Sequence, residues 1–404
     1  MSTAVPTNIR SLRRHRQWSQ EHLAEQAGLS PTTVGKAERG GQVTTATLHA
    51  IARALEVSTS DLYSDRAITP RLDAQPDHHA LARLRAVITP PVGITGTPLL
   101  EEAAAEGPVD LEAIATAVQR IETSYRGDRY DDVAEMLPSV IAEAHRAVAE
   151  LETDQAYRTR AVALQMAGRY LTQVRMLSDA LAALRASIRD AATAGDRTLA
   201  AVAINGQGWA LTRQGRLAEC VRLCTATADE VEPRMSTAGS SELAAWGNLH
   251  FRAAAAAIRD NDPDGAKEHM QMADAAASAL GREVDSWATF GPLTMALKQA
   301  EFALIRDEPD LTLELAERLP DRRRVGDVTP INWERHHLDV AHAQVRTGDI
   351  DAATRTMTQV MQRSPEWMRR QNEAYQVVAD MCEARPKRIS PQVATLAAHL
   401  GVAA

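Results

Sequence analysis

Between Ile9 and Tyr63, apolar positions recur every three to four residues in short runs, and Ser, Thr or Gly stands at the breaks between them. This spacing predicts five short capped helices that share one small core. At the centre, Leu23, Ala24 and Ala27 line one face of a helix whose natural N-cap is Ser19, because a hydroxyl there accepts from an otherwise free backbone N–H. Gly28 takes readily the left-handed conformation that ends a helix. Ser30 then caps a second helix with Pro31 at its first position, where a missing N–H costs nothing. So short a connection between two helices predicts a helix-turn-helix. Thr44 opens a further amphipathic segment carrying Leu48, Ile51, Ala52 and Leu55, and Ser58 opens a short one with Asp61 and Leu62.

Beyond residue 66 the pattern changes twice. Residues 67–108 read as a linker, punctuated by Pro70, Pro76, Pro90, Pro91, Pro98 and Pro108. It contains one helical island, about Asp77 to Ile88, whose apolar face (Leu81, Leu84, Ile88) suits either docking on the next domain or pairing with a second subunit. Residues 109–404 are Ala-rich and lack strand-like alternation. Turn-like sequences stand near Gly127, Gly168, Gly215, Asp262, Glu308 and Gly348, at steps of 41, 47, 47, 46 and 40 residues. Such a period predicts antiparallel helix pairs stacked into a solenoid, with Ala182, Ala183, Ala253 to Ala257 and Ala275 to Ala277 allowing close helix approach. The chain as a whole is expected to be all-α.

The segment from Gln20 to Gly40 resembles the lambda-repressor or Cro-like helix-turn-helix family, and the likeness runs from about Ile9 to Tyr63. The resemblance implies a DNA-binding domain over residues 1–66 whose second motif helix lies in the major groove of double-stranded DNA. Carried onto matching positions, it places Pro31, Thr32 and Lys36 toward base edges, with Lys36 as the guanine reader, and Thr33 toward a phosphate. Gln20 would clamp a phosphate from the positive end of its helix, and Arg39 adds positive charge at the motif's end. Pro31 cannot read bases by hydrogen bonding, and Gly35 is expected to leave a blank on the groove-facing side. Base readout then leans on Lys36, Thr32, methyl contacts and DNA shape. The repeats at 109–404 resemble tetratricopeptide repeats, though longer. A Cro-like domain followed by such an array resembles the peptide-sensing cytoplasmic regulators of Gram-positive bacteria and actinobacterial regulators of the same layout. For those, the resemblance implies a homodimer whose operator hold responds to a signalling peptide or other small effector in the repeat groove.

Charge supports this division. The chain carries a formal net charge of −8, yet residues 1–66 hold eight Arg or Lys against six Asp or Glu, so only that piece suits a polyanion. Arg10, Arg13, Arg14, Arg16 and Arg39 supply most of its positive charge. In the repeats, Trp246 and Trp333 each precede an arginine by thirteen residues just ahead of a turn, Trp209 and Trp287 are expected on first helices as well, and Asn205, Asn248 and Asn332 accompany them. An Asn amide pairs with both groups of an extended peptide backbone, and Arg252 takes a carboxylate, so this set is the candidate ligand pocket. The alternative for each tryptophan is packing between hairpins.

Other chemistry finds little footing. Cys220 and Cys224 stand one helical turn apart, which suits a shared buried face, and Cys382 is the only other cysteine. His78-His79 and His336-His337 lack metal-site spacing, and no phosphate-cradling loop or nucleophile elbow appears, so neither an enzyme nor a cofactor is expected. No apolar run reaches the length of a membrane span, and no secretion signal is read, so a cytoplasmic location without membrane partner is expected. The rival to a regulator is an interaction scaffold in which the helix-turn-helix merely localises the protein. A phage-type repressor is a third reading, and the helical repeats do not suit it.

Overall fold

The computed structural model describes residues 4–15, 18–41, 43, 45–55, 57, 62, 78–94, 107–285, 289–384 and 389–402. These residues form 21 helices and no extended strand; the antiparallel bridge between Val284 and Phe290 is isolated. The described fold is therefore all-α. It divides into two units, residues 1–75 with 211–216 and residues 76–210 with 217–404, each taken by itself below.

The N-terminal unit contains α1 (Ala4–His15), α2 (Gln20–Ala27), α3 (Pro31–Glu38) and α4 (Thr45–Ala54). Helix α1 starts five residues ahead of Ile9 and adds Val5 to the core. Val5, Ile9 and Leu12 of α1 meet Leu23 and Ala24 of α2, Val34 and Ala37 of α3, and Leu48, Ile51 and Ala52 of α4. A side chain such as Leu23, fully buried here, contributes about 1.5–3 kcal/mol by leaving water. The proposed caps Thr44 and Ser58 lie outside the described residues. Of the expected fifth helix only Leu62 is described; it is buried, and its carbonyl accepts from Asn8 Nδ2 at 3.2 Å.

The repeat unit opens with α5 (His78–Ile88), which covers the Pro-rich region's helical island. It docks on the array: Leu81, Leu84, Val87 and Ile88 are buried, His145 Nε2 lies 2.9 Å from the Val87 carbonyl, and Arg85 pairs with Asp179 at 3.0 Å. Seven hairpins follow. They pair α6 (Leu111–Arg126) with α7 (Tyr130–Leu151), α8 (Asp154–Gln173) with α9 (Leu177–Thr193), and α10 (Arg197–Arg213) with α11 (Leu217–Glu230). The next pairs are α12 (Ser240–Arg259) with α13 (Pro263–Leu280) and α14 (Pro292–Ile305) with α15 (Pro309–Glu317). After the single turn α16 (Arg322–Val325) come α17 (Pro330–Arg346) with α18 (Ile350–Arg363), and after α19 (Pro365–Arg369) come α20 (Asn372–Ala384) with α21 (Pro391–Leu400). First helices touch first helices, α6 on α8, α12 on α14, α14 on α17 and α17 on α20, which is how a helical-hairpin solenoid stacks.

Six of the hairpin corners share one backbone device. A left-handed residue stands at Asp128, Arg175, Gly215, Asn261, Asp307 and Gly348, and the N–H after it bonds back five residues at 2.8–3.0 Å, as from Asp262 to Ala257. This is the Schellman closure of a helix end. Five expected corners fall where the sequence puts them, and the one at Gly168 does not. Gly168 lies inside α8, where an added Cβ would sit 2.4 Å from Leu184 Cγ of α9; the glycine there lets two helices approach, and the corner comes at Arg175. The seventh hairpin, α20 with α21, carries no recognised turn sequence.

The two ends of the array meet. One continuous apolar cluster holds residues of α5 to α9 together with residues of α17 to α21. At the first corner the half-buried Asp128 carboxylate accepts the N–H groups of Glu366 at 2.8 Å and Trp367 at 2.6 Å, at the start of α19. Among the described residues, no helix is long and apolar enough to cross a membrane.

Candidate functional site

The helix-turn-helix is built by the caps the sequence supplies. Ser19 Oγ accepts the His22 N–H at 3.0 Å, Gly28 adopts φ +65°, and the Leu29 N–H closes on the Ala24 carbonyl at 2.8 Å. Ser30 Oγ accepts the Thr33 N–H at 3.1 Å, with Pro31 in the first turn. Val34 and Ala37 turn inward, which leaves Pro31, Thr32, Lys36 and Arg39 exposed and Thr33 half-buried. The Thr33 hydroxyl lies 2.8 Å from Ser30 Oγ.

The inner side of α3 ends on a buried carboxylate that the sequence does not announce. Glu38 is 2% exposed and ties three helices together. Arg13 of α1 bonds it twice, Nε to Oε1 at 2.6 Å and Nη2 to Oε2 at 3.0 Å, and Gln20 Nε2 of α2 donates to Oε2 at 2.7 Å. Arg10 Nη2 reaches the Glu38 carbonyl at 2.7 Å. Burial by itself would raise the Glu38 pKa, but the hydrogen bonds from Arg13 and Gln20 and the charges of Arg13 and Arg10 outweigh it and hold the carboxyl below its ordinary range.

Three expectations change with this. Arg13 belongs to a buried ion pair and is not part of the unit's exposed positive face. The Gln20 side chain is engaged with Glu38, so a phosphate at this helix start would meet its backbone amide first. Gly35 is no blank on the outer side: it is buried, and an added Cβ would sit 3.2 Å from Arg39 Nη1 and 3.5 Å from Gln20 Oε1. The side chain of Arg14, and Arg16 altogether, lie outside the described residues.

The residues expected to form a ligand pocket separate into distinct places. Trp246 is 1% exposed with His250 edge-on at 4.5 Å, so it packs in the interior. Asn248 Nδ2 donates to the carbonyl of Ala244 one turn back on its own helix. Asn205 and Arg252 do come together, Nε to Oδ1 at 3.2 Å, and the Arg252 guanidinium lies 5.8 Å from the Phe251 ring. Trp209 is half-buried on α10, and Trp287 lies outside the described residues, ahead of α14. Trp333 Nε1 donates to Asp327 at 2.7 Å, and Arg322 stacks over its ring at 5.3 Å.

Asn332 lines a cleft between α14 and α17 together with Lys298, Arg335, His336 and Asp339, which the sequence reading missed. Lys298 bonds Glu301 at 2.9 Å, and Arg259 reaches the other oxygen of Glu301 at 2.9 Å. Burial opposes ionisation of Glu301, yet Lys298, Arg259 and Arg335 drive its pKa far below the ordinary value. Asp339 goes the other way. Burial, then the charges of Glu373 and Glu301, raise its pKa well above the usual carboxylate range against Lys298 and Arg335. Burial, with the charges of His337 and Lys298, brings His336 down to about 4. A signal for this cleft exists: its Lys298 and Asp339 each stand nine residues before a left-handed corner, at Asp307 and Gly348, as Arg252 outside it does before Asn261. Cys220, Cys224 and Cys382 are buried as thiols.

Residues 9–62 match the family model described as helix-turn-helix, and the N-terminal unit is a helix-turn-helix domain of this XRE type. No curated protein matches the chain. Among solved structures, the chain aligns with Bacillus thuringiensis PlcR in complex with the peptide PapR7 and DNA, at 11% identity, covering 78% of this chain and 95% of that one, with a TM-score of 0.35. It also aligns with the apo form of the competence regulator ComR from Streptococcus vestibularis, at 12% identity, covering 83% and 98%, with a TM-score of 0.28.

Proposed function

We propose that the chain is a DNA-binding transcriptional regulator that reads a duplex operator as a homodimer through α3, while the repeat unit pairs the subunits and takes a peptide or other small effector. The observation that carries this reading is the exposed row Pro31, Thr32, Lys36 and Arg39 on a helix pinned from behind by the Glu38 node. Lys36 reads a guanine edge, Thr33 and Arg39 contact phosphates, and the free backbone amides at the start of α2, Gln20 first among them, face the anionic backbone. One helix-turn-helix buries too little surface for selective binding, so two are set on half-sites about one helical turn apart. The effector shifts operator affinity only by its difference in affinity for the two spacings.

Genome-wide mapping of bound DNA, followed by fluorescence anisotropy on a recovered site, tests this. Lys36→Ala is expected to cost about 1–3 kcal/mol, roughly 5- to 150-fold, on the selected site and much less on random duplex. Arg39→Ala should weaken both alike and reduce the salt slope by about 1. Occupancy of the same loci by the Lys36→Ala protein would sink the readout. A stably co-purifying protein with no DNA retention would replace the regulator by a scaffold. Anisotropy that is identical with and without cell extract would remove the effector.

A further inference from the structure

The cleft between α14 and α17 gathers polar groups that the fold leaves uncommitted. On α17, Asn332, Arg335 and Asp339 follow one another at helical spacing and all line it. The Asn332 side-chain amide makes no hydrogen bond among the described residues, its backbone N–H alone being taken by the Thr329 cap. The Arg335 guanidinium has no carboxylate within ion-pair distance among the described residues and instead lies 5.8 Å from the Trp367 ring. Asp339 is 4% exposed and accepts no hydrogen bond among the described residues; Nδ1 of the equally buried His336 also lacks a partner. A buried carboxylate that accepts no hydrogen bond, beside a guanidinium whose anions Glu301 and Asp339 stand beyond ion-pair distance, is costly unless a ligand supplies closer partners. The opposite wall brings Lys298, whose own countercharge is Glu301.

We propose that this cleft holds the carboxylate end of the effector, with Arg335 and the Asn332 amide donating to the carboxylate and Asp339, one turn further along α17, accepting from the N–H on the adjacent carbon. The inference rests on the reading that the repeat unit takes an effector, and it assigns the group recognised: a carboxylate with an α-nitrogen donor. A planar guanidinium and a primary amide suit a carboxylate's two oxygens. The buried acceptor rejects acids that lack the nitrogen. A peptide's C-terminus and a free amino acid both carry this chemistry.

Calorimetric titration of the full chain with four small probes separates the possibilities: N-acetyl-leucine, N-acetyl-leucinamide, 4-methylpentanoate and leucine. N-acetyl-leucine is expected to bind, while the amide, lacking the carboxylate, and 4-methylpentanoate, lacking the nitrogen, bind about ten-fold or more weakly. Tighter binding of leucine than of its acetyl derivative assigns the site to free amino acids; the reverse assigns it to peptide ends. Arg335→Gln should erase the preference for acid over amide, and Asn332→Ala should weaken acid binding several-fold with an unchanged thermal melt. Equal binding of acid and amide overturns the proposal. So does undiminished acid binding in both variants, or no acid binding up to concentrations on the order of 10 mM. Extract-dependent DNA binding that persists alongside any of these results leaves the regulator standing and removes only this cleft.

Discussion

Replacing Glu38 by Gln keeps the shape of the buried node and removes its charge. The Arg13 side chain, 11% exposed, is then left without its countercharge, because Glu38 is its one ion-pair partner among the described residues. Breaking one side of a buried pair costs about 3 kcal/mol, against a total of roughly 5 kcal/mol for a small domain. Most of the N-terminal unit's stability is therefore at stake, although the change removes no apolar contact. Hydrogen exchange read by mass spectrometry on the full chain resolves the effect locally: protection in α1 to α3 should fall by two orders of magnitude or so while α6 onward is unchanged. The double variant Arg13→Met, Glu38→Leu, which removes both charges, should recover most of the loss. The folded-state pKa of Glu38 is depressed, so its contribution is present above the ordinary carboxylate value and is lost as pH falls through the folded one. Wild-type protection should accordingly approach that of Glu38→Gln in acid, below about pH 4. Equal protection in the two proteins at pH 7, or a loss spread over the repeats, refutes the reasoning.

Two further outcomes follow from the repeat unit. Burial and the charge of His269 bring the His250 pKa down to about 4, so the unfolded chain takes up a proton near pH 6.5 that the folded one refuses. Relative to His250→Asn, the wild type should lose about 1.4 kcal/mol per pH unit between pH 6.5 and 4. Comparing the two proteins cancels the opposite pull of Asp339 and of Asp128, whose pKa burial raises to about 6, since both proteins retain them, and parallel urea-melt profiles across that range would refute the assignment. Gly247→Ala places a Cβ 2.3 Å from the buried Phe290 ring and 3.0 Å from Ala276 Cβ. Overpacking of about 1–3 kcal/mol outweighs the helix-propensity gain of about 1 kcal/mol, so the urea midpoint should fall, and a rise would show that the ring has room to move.

What was legible in the sequence was what depends on neighbours along the chain. Ser19, Gly28, Ser30 and Pro31 act within four residues of themselves, and each does what its chemistry implies. The corner at Arg175 shows the limit. Its geometry is held by a backbone bond, so an arginine occupies a left-handed position that a reader assigns to glycine, while the nearby Gly168 serves helix contact. The Glu38 node joins residues 25 and 18 positions apart, a distance over which no local pattern speaks. The tryptophans misled for a related reason: register put Trp246 and Trp333 at equivalent places, but neighbouring hairpins bury one and leave the other half-covered. The charges of the cleft lie on the same register and only acquire meaning once the hairpins are stacked.

Arrays of helical hairpins ordinarily lose their terminal units first, since an outermost unit has one neighbour instead of two. Here Asp128 clasps the start of α19 across more than two hundred residues, and the first and last hairpins share a core. The stack behaves as a fastened belt with no outermost link. Loosening any one hairpin then tugs on all of them, so a strain applied at α17 has a mechanical route to the front of the array.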